Sequence, residues 1–222
     1  DKGLYVLEEG FGKELIERNK RRNGPIFGLD ENLTSTLEIK NSSDNIVFEI
    51  YNKKYWNRED NKNILNIASQ KLRDFLDRKI PPEEILDLKK WAGYFATIDL
   101  LSTYHGALLK SVKFYYNPIN GLFEPIPFDG HRLIQNYHKN FINYDNRLLI
   151  DRLINPKNKE ENSGYSWLKI IFLNKDESLN QSFYSLYLES LNTVSSKKYL
   201  DNFISKNINK IEEINSHIYA DY

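Results

Sequence analysis

The sequence contains no cysteine among its 222 residues. The protein therefore cannot form a disulfide, bind a metal through thiolates or use a cysteine nucleophile. The compartment stays open, because a chain without cysteine suits either side of a membrane, and an extracytoplasmic or cell-envelope location is one alternative. Methionine is absent as well. We therefore expect the chain to be a segment of a longer protein, from which a leader or anchor could have been lost.

An excess of charge of one sign and long hydrophobic runs are missing too. The 31 basic and 31 acidic side chains balance to a net charge of zero. This balance argues against a nucleic-acid-binding protein, because such proteins usually have a strongly basic surface. No run approaches the roughly 20 apolar residues of a membrane-spanning helix. Aromatic residues make up 14% of the chain, so a core can form and general disorder is excluded.

The first 60 residues have the short apolar runs of a small α/β unit. The patterns predict strands at 3–7, 26–29 and 45–51, because β-branched, aromatic and aliphatic residues cluster there between turn residues. A charged helix is predicted over 10–22. Residues 55–63 are charged and are predicted to be a linker.

The remaining residues, 61–222, have the periodicity of helices around one β-hairpin. Pro118 and Gly121 supply a turn between two alternating runs, which predicts a hairpin over 111–128. Helical spacing predicts further segments at about 61–78, 81–102, 146–154, 165–174 and 179–192. A long terminal helix follows, and its apolar stripe consists of Leu200, Phe203, Ile208, Ile211 and Ile218. The whole predicts an α+β fold, with an N-terminal α/β segment, 1–60, and a helical segment, 61–222.

Motifs of the common enzyme classes are absent from the sequence. There is no Walker loop, no Rossmann glycine fingerprint, no Gly-x-Ser-x-Gly elbow and no His-Glu-x-x-His. A hydrolase therefore has no supporting motif. Two of the four histidines, His131 and His138, are seven residues apart, which favours a solvated or hydrogen-bonded pair over a zinc site.

The stretch 103–130 has the layout of a phosphoryl-transfer site. A loop follows a predicted helix, the hairpin follows the loop, and Asp129-Gly130 follows the hairpin. Protein kinases place a catalytic loop, two short strands and a metal-binding Asp in this order, because the hairpin then directs both loops towards the γ-phosphate. Antiparallel strands bring their outer ends together. We therefore expect His105, before the hairpin, and Asp129, after it, to be neighbours.

Three stretches of the chain match motifs of a known family. Gly3, Tyr5 and Glu9 fit a Gly-x-Tyr-x-x-x-Glu strand. Segment 114–129 begins Phe-Tyr-Tyr-Asn-Pro and ends Pro-Ile-Pro-Phe-Asp, which is similar to an aromatic strand, an Asp/Asn-Pro turn and an Ile-Pro-Trp-Asp ending. The terminal helices over 184–218 match a C-terminal helical region. With these features the chain resembles the CotH kinase family, the atypical kinase-like proteins named after a spore-coat protein, over nearly its whole length.

This resemblance implies a protein-kinase-like fold that uses ATP with Mg²⁺ or Mn²⁺ to phosphorylate a protein acceptor. It implies that His105 and Asp129 are catalytic and that Asp129 holds the metal. It further implies that Glu9 and Ser111 contact the nucleotide. The partner would be a protein substrate, with no nucleic acid involved.

The chain departs from the family pattern at several positions that matter for catalysis. Gly106 and Ser111 stand where the family has a catalytic Asp and an Asn, and His131 replaces a second Asp. The family often carries a Lys on the strand that matches 26–29, and no Lys occurs there. These losses support a second hypothesis, in which the chain is a catalytically degraded, kinase-like binding or scaffold module.

Each candidate residue also has a structural alternative. Asp129 could cap a following helix, and His105 could be a structural hydrogen-bonding residue. Glu9 could be a first-turn acid that interacts with a helix dipole. Asp99, on the apolar face of its helix, could bond the His105 loop. Two hairpin side chains are expected to pack in the core rather than to stack on a base: Tyr115 and Tyr116.

Overall fold

A computed structural model describes residues 10–30, 46–130, 147–157 and 164–220. Within these residues, the strands are β1 (Ile26–Leu29), β2 (Phe48–Ile50), β3 (Lys113–Asn117) and β4 (Leu122–Ile126). The α-helices are α1 (Lys13–Arg18), α2 (Lys53–Trp56), α3 (Glu59–Leu76), α4 (Leu88–Leu101), α5 (Leu149–Ile154), α6 (Lys169–Phe172), α7 (Gln181–Val194) and α8 (Lys197–Ala220). Short 3-10 helices cover Pro82–Glu84, Tyr104–Ala107 and Ser166–Leu168.

The four strands form one antiparallel sheet in the order β2-β1-β3-β4. The predicted hairpin is confirmed as β3 and β4, in which Tyr115 pairs with Glu124. Strand β1 pairs with β3, so segments 1–60 and 61–222 contribute to the same sheet. The predicted α+β class is confirmed by this sheet and the helices around it.

The hairpin contains residue types whose conformational preferences match their positions in the turn and the edge strand. The Asn117 side chain accepts a hydrogen bond from the Ile119 amide at 3.0 Å, as Asn does in turns. Gly121 has a φ of 70°, in the left-handed region that a side chain disfavours. Pro125 lies on β4, at the edge of the sheet, where a missing amide hydrogen is tolerated.

An aromatic core lies between the sheet and the helices. Trp91, on α4, is fully buried, and its ring centroid lies 5.1 Å from that of Phe114 and 6.0 Å from that of Trp167. The Trp91 indole N–H donates to the Phe123 carbonyl at 2.9 Å. Both hairpin strands are therefore attached to the centre of α4. Tyr115 and Tyr116 are also buried, so the prediction that they pack in the structure is confirmed.

Two of the predicted helix boundaries are wrong. Residues 55–63 are not a linker, because α2 and α3 begin at Lys53 and Glu59 and the buried Trp56 anchors the junction. The helix predicted to begin at Pro81 begins later. Pro81 precedes a 3-10 turn, and α4 starts only at Leu88.

The late start of α4 has a physical cause in the neighbouring strand. The Phe123 amide donates to the Ile85 carbonyl at 2.8 Å, and the Asp87 amide donates to the Phe123 carbonyl at 3.0 Å. These bonds hold residues 85–87 beside β4, where Leu86 forms an isolated parallel bridge with Phe123. Asp87 then caps α4, because its side chain accepts from the Lys90 amide at 3.3 Å.

No helix within the described ranges is both long and apolar enough to cross a membrane. The strand predicted at 3–7, Glu9, His131 and His138 lie outside those ranges.

Glu124 joins three parts of the chain through a buried ionic cluster. Its carboxylate accepts hydrogen bonds from Arg21 at 2.9 Å, from Lys90 at 2.8 Å and from the Asn117 amide group at 2.9 Å. Burial raises the pKa of Glu124, but the hydrogen bonds from Lys90, Asn117 and Arg21 outweigh burial and bring its pKa below the ordinary value. The segment before β1, helix α4 and the hairpin are therefore held together at this carboxylate.

The substitution Glu124→Gln is expected to lower the free energy of unfolding by about 2–3 kcal/mol at pH 7. Breaking a buried ion pair costs roughly 3–5 kcal/mol, and the cost is smaller here because Arg21 and Lys90 each keep more than a third of their side chains exposed. Urea unfolding measures the change, with the exposed Glu49→Gln on β2 as the matched control. The difference from wild type should shrink below about pH 4.5, since the contribution of a carboxylate with a lowered pKa is lost as it protonates. An unchanged unfolding midpoint would show that the cluster contributes nothing.

Candidate functional site

The loop that carries His105 is fixed by the core. Helix α4 ends at Leu101, and the next residue, Ser102, has a left-handed φ of 54° that turns the chain back towards the sheet. The 3-10 helix Tyr104–Ala107 follows, and the Trp167 indole donates to the Ala107 carbonyl at 3.0 Å. The Tyr94 hydroxyl donates to the Gly106 carbonyl. Core side chains therefore hold the backbone that directly follows His105.

His105 and Asp129 lie side by side, as predicted from the hairpin. The Nδ1 atom of His105 is 3.0 Å from the Asp129 carboxylate oxygen Oδ2 and 3.1 Å from the Asp129 carbonyl oxygen. The hydroxyl oxygen of Ser111 is 3.2 Å from the same Nδ1. The His105 side chain is 10% exposed, whereas that of Asp129 is 40% exposed. The hairpin therefore presents a carboxylate to solvent beside a sheltered imidazole.

These contacts assign the proton on the imidazole. Carboxylate and carbonyl oxygens accept hydrogen bonds and cannot donate them. Both Asp129 oxygens are within hydrogen-bond distance of Nδ1 of His105, so Nδ1 carries the hydrogen, and Ser111 accepts from it or donates elsewhere. If His105 acts as a base, the lone pair must therefore come from Nε2.

The three side chains do not form a hydrolase triad. A triad places the serine on one ring nitrogen and the carboxylate on the other, so that a proton can pass through the imidazole. Here Ser111 and Asp129 both contact Nδ1. Ser111 is also only 1% exposed, so a substrate cannot reach its hydroxyl.

Asp129 differs from an ordinary helix cap. Its φ is 49°, in the left-handed region, whereas an N-cap residue usually has extended backbone. Its carboxylate is oriented towards His105. The geometry thus favours a loop carboxylate held by the imidazole over the capping alternative.

Gly106 and Ser111, where the resemblance implies a catalytic Asp and an Asn, are both closely packed by neighbouring residues. A Cβ atom at Gly106 would lie 3.3 Å from the Gly130 Cα and 3.6 Å from the Phe128 carbonyl oxygen. A side chain at Gly106 therefore requires the 128–130 loop to give way by a few tenths of an ångström. Ser111 is buried against His105. Neither position offers a group to a nucleotide in this arrangement.

A buried lysine near the site was not among the predicted residues. Lys113, on β3, is 3% exposed, and its ammonium nitrogen lies 5.0 Å from the Phe128 ring centroid and 5.8 Å from that of Phe11. The same nitrogen donates to the Lys110 carbonyl at 3.1 Å. A Cβ atom added at Gly28 on β1 would lie 3.0 Å from the Lys113 ammonium nitrogen. An ammonium group therefore lies beside β1, although β1 itself has no lysine.

The position of Lys113 follows from a second hydrophobic cluster that the alternation of β3 does not reveal. Lys113 alternates with core residues, which favours an outward-facing, solvated side chain. That face of the sheet is covered by a small cluster that contains Ile16 and Tyr115, with Phe11 and Tyr51 packed against it. Aromatic rings near a lysine can stabilise its charge. The sequence next to Lys113 gives no signal of this, because Phe11 and Tyr51 come from distant segments.

Asp99 has the structural role proposed for it. Its carboxylate accepts from the Leu149 amide at 2.8 Å and from the Tyr187 hydroxyl, so it joins α4, α5 and α7. Burial raises the pKa of Asp99 to about 6, although hydrogen bonds from Tyr187, Leu149 and Tyr104 act in the opposite direction. Tyr104 directly precedes His105, so this network also supports the candidate site.

Asp129 is the carboxylate available for a metal at this site, because the oxygen atoms of its side chain are partly exposed. Among the residues that the structure describes, no three or more His, Asp or Glu side chains cluster in a way that could hold a metal ion. Glu9, the other predicted nucleotide contact, is outside the described ranges.

No family model matches the chain, and the search of curated proteins finds no match.

Proposed function

We propose that the chain is a kinase-related domain of the CotH type that binds a protein partner and does not transfer phosphate. The packing of Gly106 against the 128–130 loop carries this proposal. In the family pattern the catalytic Asp belongs at position 106, and here a Cβ atom would already lie 3.3 Å from the Gly130 Cα. The burial of Ser111, a second expected nucleotide contact, supports the same proposal.

The remaining polar groups of the site suit a structural and binding role. Asp129 is held in a left-handed conformation beside His105, which fixes the loop at the end of β4. A fixed, partly exposed carboxylate can accept hydrogen bonds from a partner or form an ion pair with it, and little conformational entropy is lost. The domain therefore offers a partly exposed carboxylate, held by His105, for recognition.

A second candidate is ATP- and metal-dependent phosphotransfer to a protein acceptor. It is favoured by the exposed Asp129 carboxylate beside His105 and by the Lys113 ammonium group next to β1. In such a reaction Asp129 would hold Mg²⁺ or Mn²⁺ by its anionic oxygen. Lys113 would need to become accessible, since its side chain is buried.

A labelling experiment separates the two candidates. The chain is incubated with γ-labelled ATP, Mg²⁺ or Mn²⁺ and a general acceptor protein, in parallel with Asp129→Asn. Asp60→Asn, at an exposed position on α3, is the matched control. We expect no label above background from any of the three proteins. Label transfer by wild type and Asp60→Asn that falls at least a hundredfold in Asp129→Asn would overturn the proposal and establish phosphotransfer.

A further inference from the structure

Helix α8 presents a continuous apolar face to solvent. Six of its large apolar side chains are between 38% and 55% exposed. They are Tyr199, Leu200, Phe203, Ile204, Ile208 and Ile214. None of the described side chains of α8, from Lys197 to His217, is buried. A single exposed leucine is ordinary, but a stripe of this length along one helix marks an interaction surface.

The spacing of the stripe is that of a coiled coil. Starting at Leu200, the seam residues follow at intervals of four, three, four and three, and a further interval of four leads in the sequence to Ile218. The intermediate members are Ile204, Asn207, Ile211 and Ile214. This alternation averages 3.5 residues, which keeps a seam facing one partner helix when two helices supercoil. In heptad terms Ile204 and Ile211 occupy a positions, and Leu200, Asn207 and Ile214 occupy d positions.

The polar member of the seam favours an identical partner. Asn207 is half-buried, and its side-chain amide donates to the Phe203 carbonyl at 2.8 Å. A single Asn in an otherwise apolar seam can pair with its own counterpart in a second copy, which favours the register that brings the two Asn207 side chains together. An unrelated apolar surface would leave the carbonyl oxygen of Asn207 without a donor.

The flanking positions also fit a second, parallel copy. In a parallel pair, each g residue lies against the e residue five positions later on the other helix. This rule places Phe203 against Ile208 of the second copy, which extends the apolar contact on both sides of the Asn207 layer. The next such contact joins Lys210 with Asn215, so no like charges meet there.

We propose that α8 pairs with α8 of a second copy of this chain in a parallel, two-stranded coiled coil. The exposed parts of the apolar side chains at the seam and its flanks amount to roughly 500 Å² per copy, so a pair would bury on the order of 1,000 Å², about the smallest area expected of a biological interface. A dimer of moderate affinity is expected from this area. The pairing is independent of the kinase relationship, because it uses none of the site residues.

Sedimentation of the whole chain over a range of concentrations tests the pairing. As its concentration rises to about 200 µM, wild type should change from monomer to dimer, because interfaces of this size reach micromolar dissociation constants. Ile204→Glu puts a charge into the seam and should raise the dissociation constant at least tenfold. Ser205→Glu, on the polar face of the same helix turn, should leave it unchanged. Both positions are exposed, so circular dichroism should report the same fold for both variants.

A cysteine cross-link tests the parallel orientation. The chain has no cysteine, so Leu200→Cys introduces a single thiol near the start of the seam. In a parallel pair the two thiols face each other and should form a disulfide-linked dimer on oxidation, whereas Ser205→Cys should not. Wild type that stays monomeric throughout overturns the pairing and indicates a different partner or another segment of a longer chain on the stripe. A dimer that Leu200→Cys fails to cross-link overturns the parallel arrangement.

Discussion

Replacing Trp91 by alanine is expected to lower the free energy of unfolding by about 4–5 kcal/mol and the Tm by roughly 10 °C or more. The side chain is fully buried among the rings of Tyr94, Phe95, Phe114 and Trp167. Its removal leaves a cavity that these rings cannot all move to fill. It also removes the indole hydrogen bond to the hairpin. Chemical denaturation and a thermal scan of the same variant measure both quantities.

Trp91→Phe serves as the matched control. The ring is kept, and the indole N–H that donates to Phe123 is lost. The Phe123 carbonyl still accepts from the Asp87 amide at 3.0 Å, so it is not left without a donor. We therefore expect a smaller loss, about 1–2 kcal/mol. Equal and small losses for both variants would mean that Trp91 is not the centre of the core.

The second large effect concerns Asp99 and its dependence on pH. Burial raises the pKa of this carboxyl from 3.8 to about 6, so the folded state binds its proton more tightly than the unfolded state does. The stabilising contribution of the protonated form is complete below pH 3.8 and is lost as the pH rises to about 6. This difference between the pKa values of Asp99 in the folded and unfolded states corresponds to about 3 kcal/mol in the free energy of unfolding.

The comparison with Asp99→Asn isolates this contribution, because all other titrating groups are common to both proteins. Asn keeps an oxygen for the Leu149 amide but does not titrate. The stability of wild type relative to Asp99→Asn should therefore fall by about 3 kcal/mol between pH 3.8 and about 6. Urea unfolding at several pH values measures the change. A relative stability that does not vary with pH would show that Asp99 keeps its ordinary pKa.

The sequence was most informative where structure is local. The hairpin could be predicted because the alternation of Phe114 and Tyr116 and the turn at Pro118 and Gly121 act within a few residues. Once the hairpin was fixed, the approach of its outer ends followed from geometry alone, and the contact between His105 and Asp129 could be predicted with it.

Contacts between distant segments could not be predicted in the same way. Lys113 is buried because Phe11 and Tyr51, from other parts of the chain, cover its face of the sheet. Helix α4 starts late because Ile85 is hydrogen-bonded to Phe123, which the Pro-rich start signal at Pro81 does not reveal. No local pattern encodes such pairings.

In the candidate site, too, the local features could be predicted and the tertiary contacts could not. The order of loop, hairpin and Asp129 was visible in the sequence, whereas the tight approach of Gly106 to the Gly130 backbone depends on tertiary packing. The sharing of one ring nitrogen of His105 by Ser111 and Asp129 also depends on side-chain placement.

Calorimetric titration of the chain with ATP in the presence of Mg²⁺ is the sharpest test of the proposed loss of phosphotransfer, because it asks whether a nucleotide site exists without assuming an acceptor. We expect no metal-dependent binding, or a dissociation constant weaker than about 1 mM, which corresponds to less than about 4 kcal/mol of binding free energy. Tight binding that requires Mg²⁺ and is lost in Asp129→Asn would overturn the proposal and favour ATP- and metal-dependent phosphotransfer.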